Sequence, residues 1–252
     1  MYFSGSHMKR SKYKTVFSAI KGISKLGGNC FQMFAGDNIK TTLNYKNNLS
    51  IEDAKEIRKL LKKYKMKIVI HSVLTLNLCS PISKRFRWNI DSLIFDLKYN
   101  ESINGLGVII HMGTYKTKNF NLDYKEGEKN FIKSIEIAIK ETKNLKSKII
   151  LETSCNQSNK IGGKLESFAK IYKKLSKKYK DRIGVCIDTA HIFSAGYKIN
   201  TIEGVNNYFN KFNKLIRIKN CIVIHLNDSM RECCSCVDRH ESIGKGYIFS
   251  EN

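Results

Sequence analysis

Short, almost wholly apolar runs alternate along the chain with longer segments of helical period. YFSGS opens the series and leads to a helix expected over 14–26. NCFQMF at 29–34 precedes a helix near 50–64, and KIVI at 67–70 precedes a long loop and a helix near 84–103. GVII (107–110), KIIL (148–151) and IGVCI (183–187) lead to helices near 128–144, 164–179 and 201–214. CIVI (221–224) runs into a polar, Cys-rich loop. The strand–helix pattern thus recurs seven times, with strands too apolar to alternate. Such strands are buried on both faces, as in parallel sheets covered by helices. With no Pro/Ser/Gly linker, residues 1–252 read as one domain. The expected fold class is α/β, a TIM-type (β/α)8 barrel. A doubly wound open sheet is the alternative, but the Gly-rich phosphate loop it normally carries after the first strand is missing.

Composition narrows the class. An apolar content of 42% beside 27% charged residues excludes wholesale disorder. No apolar run approaches the roughly 18–20 residues of a membrane span, and MYFSGSHMKR has no apolar signal core. The expected compartment is therefore intracellular and reducing, which argues against a disulfide framework for the eight Cys. Cys30, Cys186 and Cys221 lie in apolar runs and read as small buried hydrophobes. Cys233, Cys234 and Cys236 cluster, but a CCxC run without a second pair is a poor structural zinc site. The 45 basic against 22 acidic residues, net +23, make a polyanionic partner plausible. Heavy use of Lys, Ile and Asn with a single Pro is also what an AT-rich genome imposes.

The candidate chemistry lies where the apolar runs stop. KIVI ends in His71, GVII in His111, KIIL in Glu152, IGVCI in Asp188, CIVI in His225, and the first strand in His7. In a barrel those ends converge on the active face. His191 follows Asp188 by about one helical turn, and Asp238 and His240 form a pair separated by Arg239. All six His of the chain fall in this set. Imidazole with carboxylate, without paired thiolates, suits catalytic Zn or Mn. Eight ligands besides His7 exceed the capacity of one ion and fit two or three ions sharing a bridging carboxylate, an arrangement suited to phosphodiester hydrolysis. No Gly-x-Ser-x-Gly elbow supplies an alternative nucleophile. Asp228, in HLND, is placed either to orient a ligand or to make a simple loop hydrogen bond.

VCIDTAHIFSAGY (185–197), IHLNDS (224–229) and VDRHESIGKG (237–246) closely resemble the signature segments of the endonuclease IV family of apurinic/apyrimidinic (AP) endonucleases. The similarity runs from YFSGSH through FQMF and HSVLTLNLCSP to GKG, and IDTAHIFSAG with the basic composition also resembles copies carried by large DNA viruses. The resemblance implies a barrel with three zinc ions that hydrolyses the phosphodiester 5′ to an abasic site in double-stranded DNA. It assigns His71, His111 and Glu152 to one zinc, Glu152, Asp188 and His225 to a second, and His191, Asp238 and His240 to a third. Glu152 is thus also the central catalytic residue. His7 matches a family His that is not a ligand and is expected on the pocket floor. Where the family's wedge loops carry an Arg and a Tyr-Leu pair, this chain has Ile39, then Leu74 and Thr75. Leu74 remains an apolar wedge candidate, with Lys40 and Arg239 as DNA contacts. The family's ninth ligand, a Glu ending the eighth strand, has its match beyond Asn252, and Glu251 follows the DRH motif too closely to replace it. The eighth βα unit is therefore expected to be missing from the barrel. The implied protein is a monomer without membrane contact, in the cytoplasm, in a viral factory or virion if viral, or in the nucleus. A metal-dependent sugar isomerase or epimerase on a related barrel, and a catalytically impaired DNA-binding remnant, are the alternatives.

Overall fold

A computed structural model describes residues 2–9, 11–35, 49–157 and 159–250. The chain divides into two compact units: Met1–Leu76, Ile90–Ile110 and Ala138–Ile149 form the first, and Asn77–Asn89, His111–Ile137 and Ile150–Asn252 the second.

In the first unit, strands β1 (Gly5–His7), β2 (Cys30–Phe34), β3 (Lys67–His71) and β4 (Val108–Ile110) are parallel and follow one another in chain order. The register pairs His7 with Gln32, Phe34 with His71, and His71 with Ile109. Helix α1 (Val16–Lys25) starts at a capping box in which Thr15 and Ser18 exchange side-chain-to-backbone hydrogen bonds. It buries Ala19, Ile20 and Ile23, a stripe at helical spacing. Helix α2 (Ile51–Lys63) packs against α1, capped by Ser50, with acidic residues in its first turn and Lys62 and Lys63 in its last. Helices α3 (Lys84–Ser102) and α4 (Tyr124–Glu141) each run through parts of both units.

Strand β5 (Ile149–Glu152) enters the second unit after its first residue, and β6 (Ile183–Asp188) pairs in parallel with β7 (Cys221–His225). A bulge between Val185 and Cys186 shifts that register, so that Asp188 stands opposite His225. Helix α5 (Leu165–Lys178) packs against β6 and against α7 (Ile202–Leu215). The short helix α6 (Thr189–Ser194) follows β6 directly.

The expected elements recur with boundaries moved by a few residues, and two differences stand out. Complete burial holds for β4, β5 and β6 but not for β1, which is exposed throughout, or β7, which is half-buried. Each of those two stands at the end of its unit's strand order, so one edge lacks a neighbour among the described residues. Cys221, expected as buried, is accordingly half-buried in β7, and Cys30, also expected as buried, is half-buried at the start of β2. The polar loop after β7 also contains structure, an antiparallel ribbon of β8 (Asp228–Ser229) and β9 (His240–Glu241).

Candidate metal centre

In the second unit the backbone delivers three carboxylates and four imidazoles to one place. His111 and Glu152 directly follow or end β4 and β5, and Asp188 and His225 end β6 and β7. His191 lies in the first turn of α6, while His240 opens the second strand of the ribbon and Asp238 lies two residues before it. Glu152 joins two of the imidazoles: its Oε2 is 3.0 Å from His111 Nε2, and its Oε1 is 2.8 Å from His225 Nδ1. Asp188 Oδ2 is 3.5 Å from His225 Nδ1 and 3.8 Å from His240 Nε2. Asp238 Oδ1 sits 3.1 Å from His191 Nε2 and 3.2 Å from His240 Nε2, and its Oδ2 faces Lys160 Nζ at 3.7 Å.

Surrounding hydrogen bonds fix these side chains. Asp188 Oδ1 accepts from the His191 amide at 3.0 Å, capping α6, while Asn227 Nδ2 donates to Oδ2 at 2.7 Å. Thr153 Oγ1 accepts from the Asp188 amide at 3.0 Å. The Thr153 carbonyl can only accept, so His191 Nδ1, 2.7 Å away, is the donor and carries the proton. Asp228 is not among the facing ligand atoms. Its buried carboxylate accepts from the amides of Ser229, Gly244, Gly246 and Ile248 at 2.8–3.0 Å, closing the loop that carries Asp238 and His240. A Cβ on Gly246 would lie 2.5 Å from Asp228 Oδ1, so only glycine allows that approach.

The electrostatics demand positive charge. Burial alone would depress His191, but Asp188, Asp238 and Glu152 outweigh it and raise its pKa to about 10. His225 is raised further still, against its burial, by Cys186, Asp188 and Glu152. The Asp238 carboxylate raises His240. Burial also opposes ionisation of Asp188 and Asp238, yet the surrounding imidazoles hold both below the usual carboxylate range. His191 Nε2 shows why this suits a cation. It is buried, has no hydrogen-bond partner, and faces a carboxylate oxygen across 3.1 Å. With the ring proton committed to Nδ1, two lone pairs oppose each other unless a proton or a metal lies between them. Oxygen and imidazole donors without paired thiolates fit a hydrolytic zinc or manganese site. Among the described residues of this unit, Asp188, His191 and His240 each place a ligand atom within 4.8 Å of the others, as do Glu152, Cys186 and His225.

Cys186 is the residue that sequence reasoning missed. It was expected only to fill the core, yet it lies two positions before Asp188 and shares its strand face. That spacing was the available signal. Burial pushes its thiol up to about 12.

In the first unit His71 is buried at the end of β3. Its Nδ1 donates to the Ser72 carbonyl at 2.7 Å. His7 is exposed rather than enclosed, its Nδ1 3.1 Å from Gln32 Nε2 and its ring against Phe34. Leu74, expected as an apolar wedge, is 55% exposed. Arg239 is exposed just before the second ribbon strand, its guanidinium donating to the Asp238 carbonyl. Lys40 and Ile39 lie outside the described residues. Among the described residues, no helix is long and apolar enough to cross a membrane.

Residues 20–251 match the family model described as xylose isomerase-like TIM barrel. The chain is 34% identical over 251 residues to the putative endonuclease 4 of Acanthamoeba polyphaga mimivirus, covering 98% of this chain and 78% of that protein. It is 36% identical over 203 residues to apurinic-apyrimidinic endonuclease 1 of Plasmodium falciparum, covering 79% of this chain and 33% of that longer protein. Among solved structures it is similar to endonuclease IV from Thermus thermophilus, with a TM-score of 0.77 at 21% identity over 97% of this chain and 84% of that one.

Proposed function

This chain belongs to the endonuclease IV family of AP endonucleases, and on that premise we propose that its strand-end cluster holds three zinc ions and hydrolyses the phosphodiester 5′ to an abasic site in duplex DNA. The fold is a TIM barrel, and the enzyme is a DNA-repair hydrolase of the deoxyribonuclease IV type. The observation that carries the finer reading is Glu152, a buried carboxylate whose two oxygens face different imidazoles at 3.0 and 2.8 Å. This is the arrangement a bridging ligand needs. His111 stands on one side, His225 with Asp188 on the other, and Asp188, His191, Asp238 and His240 surround the third position. His71 joins His111 and Glu152 in this reading on the family resemblance.

Zinc, when bound, brings a coordinated water into the neutral pKa range and offsets charge building on the phosphate. The protein's own groups do the rest. Thr153 and Asn227 fix the His191 ring and the Asp188 carboxylate, so the donors are set before substrate arrives. Cys186 keeps its proton at neutral pH and is not the nucleophile. Arg239 and Lys40 meet backbone phosphates, and Leu74 enters the base stack beside the lesion. In this reading the protein works as a monomer, and residues 1–252 belong to a single barrel domain. The metal-dependent sugar isomerase alternative is disfavoured by the DRH loop and by a net charge of +23, which suits a polyanion.

Duplex DNA with one abasic site tests this reading. The protein should nick it on the 5′ side, leaving a 3′-hydroxyl. A strong chelator should abolish the cut, zinc should restore it, and magnesium should not. Elimination-type products, or cleavage that survives chelation, would overturn it.

A further inference from the structure

The CCxC run takes no part in this chemistry, yet it sits in the segment Arg231–Val237 that leads into Asp238 and His240. Of the eight cysteines, Cys79, Cys155 and Cys186 are buried and Cys30 and Cys221 lie half-buried in strands, whereas Cys234 is exposed and Cys233 and Cys236 are half-buried beside it. The backbone here is unusual. Cys234 and Cys236 both adopt left-handed conformations, with φ of 67° and 55°. A side chain with a Cβ adopts that region at a cost, and holds it only where its surroundings over-determine it. The tethers are visible: the Cys234 amide donates to the Phe193 carbonyl at 3.3 Å and the Cys236 amide to the Ser194 carbonyl at 3.0 Å, while Ser194 Oγ donates to the Val237 carbonyl at 2.9 Å. The turn is thus strapped to the end of α6, with Cys234 Sγ over Gly196 and Cys236 Sγ accepting from Asn156 Nδ2 at 3.8 Å. Cys233 and Cys234 are adjacent in the chain, so this strapped turn carries one exposed and one half-buried thiol side by side.

We propose that Cys233 and Cys234 form an oxidisable vicinal dithiol that closes to a disulfide when it meets a peroxide-class oxidant. The exposed Cys234 meets the oxidant. Its thiolate attacks a peroxide oxygen, an S–O bond forms as the O–O bond breaks, and water leaves after protonation. The Cys233 sulfur then attacks Cys234 sulfur, the S–S bond forms, the S–O bond breaks, and hydroxide departs with the Cys233 proton as a second water. Two thiols and one hydrogen peroxide give one disulfide and two waters. Burial and the neighbouring Cys234 push the Cys233 thiol up to about 11, so little of it is thiolate at neutral pH, and it is adjacency to Cys234 that makes the second, intramolecular step possible. Adjacent Cα atoms stand about 3.8 Å apart across a trans peptide, closer than the roughly 4.4–6.8 Å usual for a disulfide. The product is therefore strained and easily reduced again, so the modification is reversible. Because the turn is strapped to α6 and continues into Asp238, ring closure also pulls on the third ion's ligands. That last consequence rests on the proposed zinc reading and is read out separately.

The zinc-loaded protein, treated with hydrogen peroxide and then with dithiothreitol, supplies the test. Peptide mapping should show a Cys233–Cys234 cross-link, loss of two titratable thiols and full recovery on reduction. Cys233→Ser and Cys234→Ser should each abolish the cross-link, while Cys236→Ser should leave it. A product that dithiothreitol does not reverse, or a cross-link that needs Cys236, would overturn the proposal. Zinc released during treatment, followed with a chromogenic chelator, should come from the parent and not from Cys234→Ser. Equal release from both would sever the link to the metal centre while leaving the thiol chemistry decided by the mapping.

Discussion

Strands β6 and β7 are hydrogen-bonded neighbours of almost the same composition, and each ends in an ionisable group facing the same centre, yet one is buried at all six positions and the other at none. Ile187 is wholly buried, whereas Ile224, its partner in the register, is 51% exposed. The difference comes from neighbours. β6 is covered by α5 and its Cys186 carbonyl accepts from the Thr153 amide just beyond β5, while β7 stands at the end of the strand order. An apolar run therefore states what a strand can bury, and its position in the sheet decides what it does bury. The chemistry at the strand ends is independent of that cover, because the ligand positions are held by local hydrogen bonds rather than by the depth of the core.

The largest expected effect would confirm that independence. Asp188→Asn and His225→Gln should each lower abasic-site cleavage by more than the roughly 10–100-fold that outer partners of a metal ligand cost, and to similar extents despite their unequal strands. Glu152→Gln should be worse than either, since it touches both sides of the cluster. Single-turnover cleavage measures all three, and a mild Glu152→Gln would remove the bridging role. Next in size is stability. Ile187→Ala should cost roughly 3 kcal/mol in denaturant unfolding, while Ile224→Ala should cost less than about 1 kcal/mol. Equal costs would mean that β7 is covered in solution.

Asp228→Asn comes third, at about 2 kcal/mol, because amides that converge on a buried carboxylate lose its charge. Burial opposes ionisation of Asp228, but the amides of Ile248, Ser229, Gly246 and Gly244 hold its carboxyl below the usual range. Its stabilisation is thus complete above the unfolded value of about 3.9 and lost as pH falls through the lower folded value. The deficit of the variant should be full at neutral pH and close only in strong acid, which urea unfolding across pH will show. Smallest is Lys211→Ala. It breaks the solvent-screened pair with Glu166 between α7 and α5 and should stay within about 0.5 kcal/mol.

Much of this was legible in the chain itself. The strands appeared because unbroken apolar runs need two covered faces, and the strand-end rule located His111, Glu152, Asp188 and His225 before any geometry. Where the reading fell short, the missing information was local or spatial. Helix α4 begins at Tyr124 rather than near 128 because Asp123 and Glu126 form a reciprocal cap: the Glu126 amide donates to Asp123 Oδ1 and the Asp123 amide to Glu126 Oε2. The D-x-x-E spacing carries that cap, but it precedes the apolar stripe by which the helix is marked in the sequence. Helix α6 is too short for periodicity to reveal, and its only local sign is Asp188 as a cap. Cys186 looked like core because its type is ambiguous, and only the strand's two-residue repeat places it beside Asp188. The partial exposure of β7 could not be read locally, since it depends on which strands stand beside it.

Asp188 has one further consequence. One oxygen caps α6 and the other belongs to the proposed ion site, so a single carboxylate serves two equilibria, the opening of a helical turn and the loading of a cation. Two processes that share a group cannot be tuned separately. Whatever frays the first turn of α6 also releases a ligand, and a bound ion resists that fraying by mass action. The His191 amide, held by Asp188 Oδ1, is then a built-in gauge: its rate of exchange with solvent tracks occupancy at a position several bonds away.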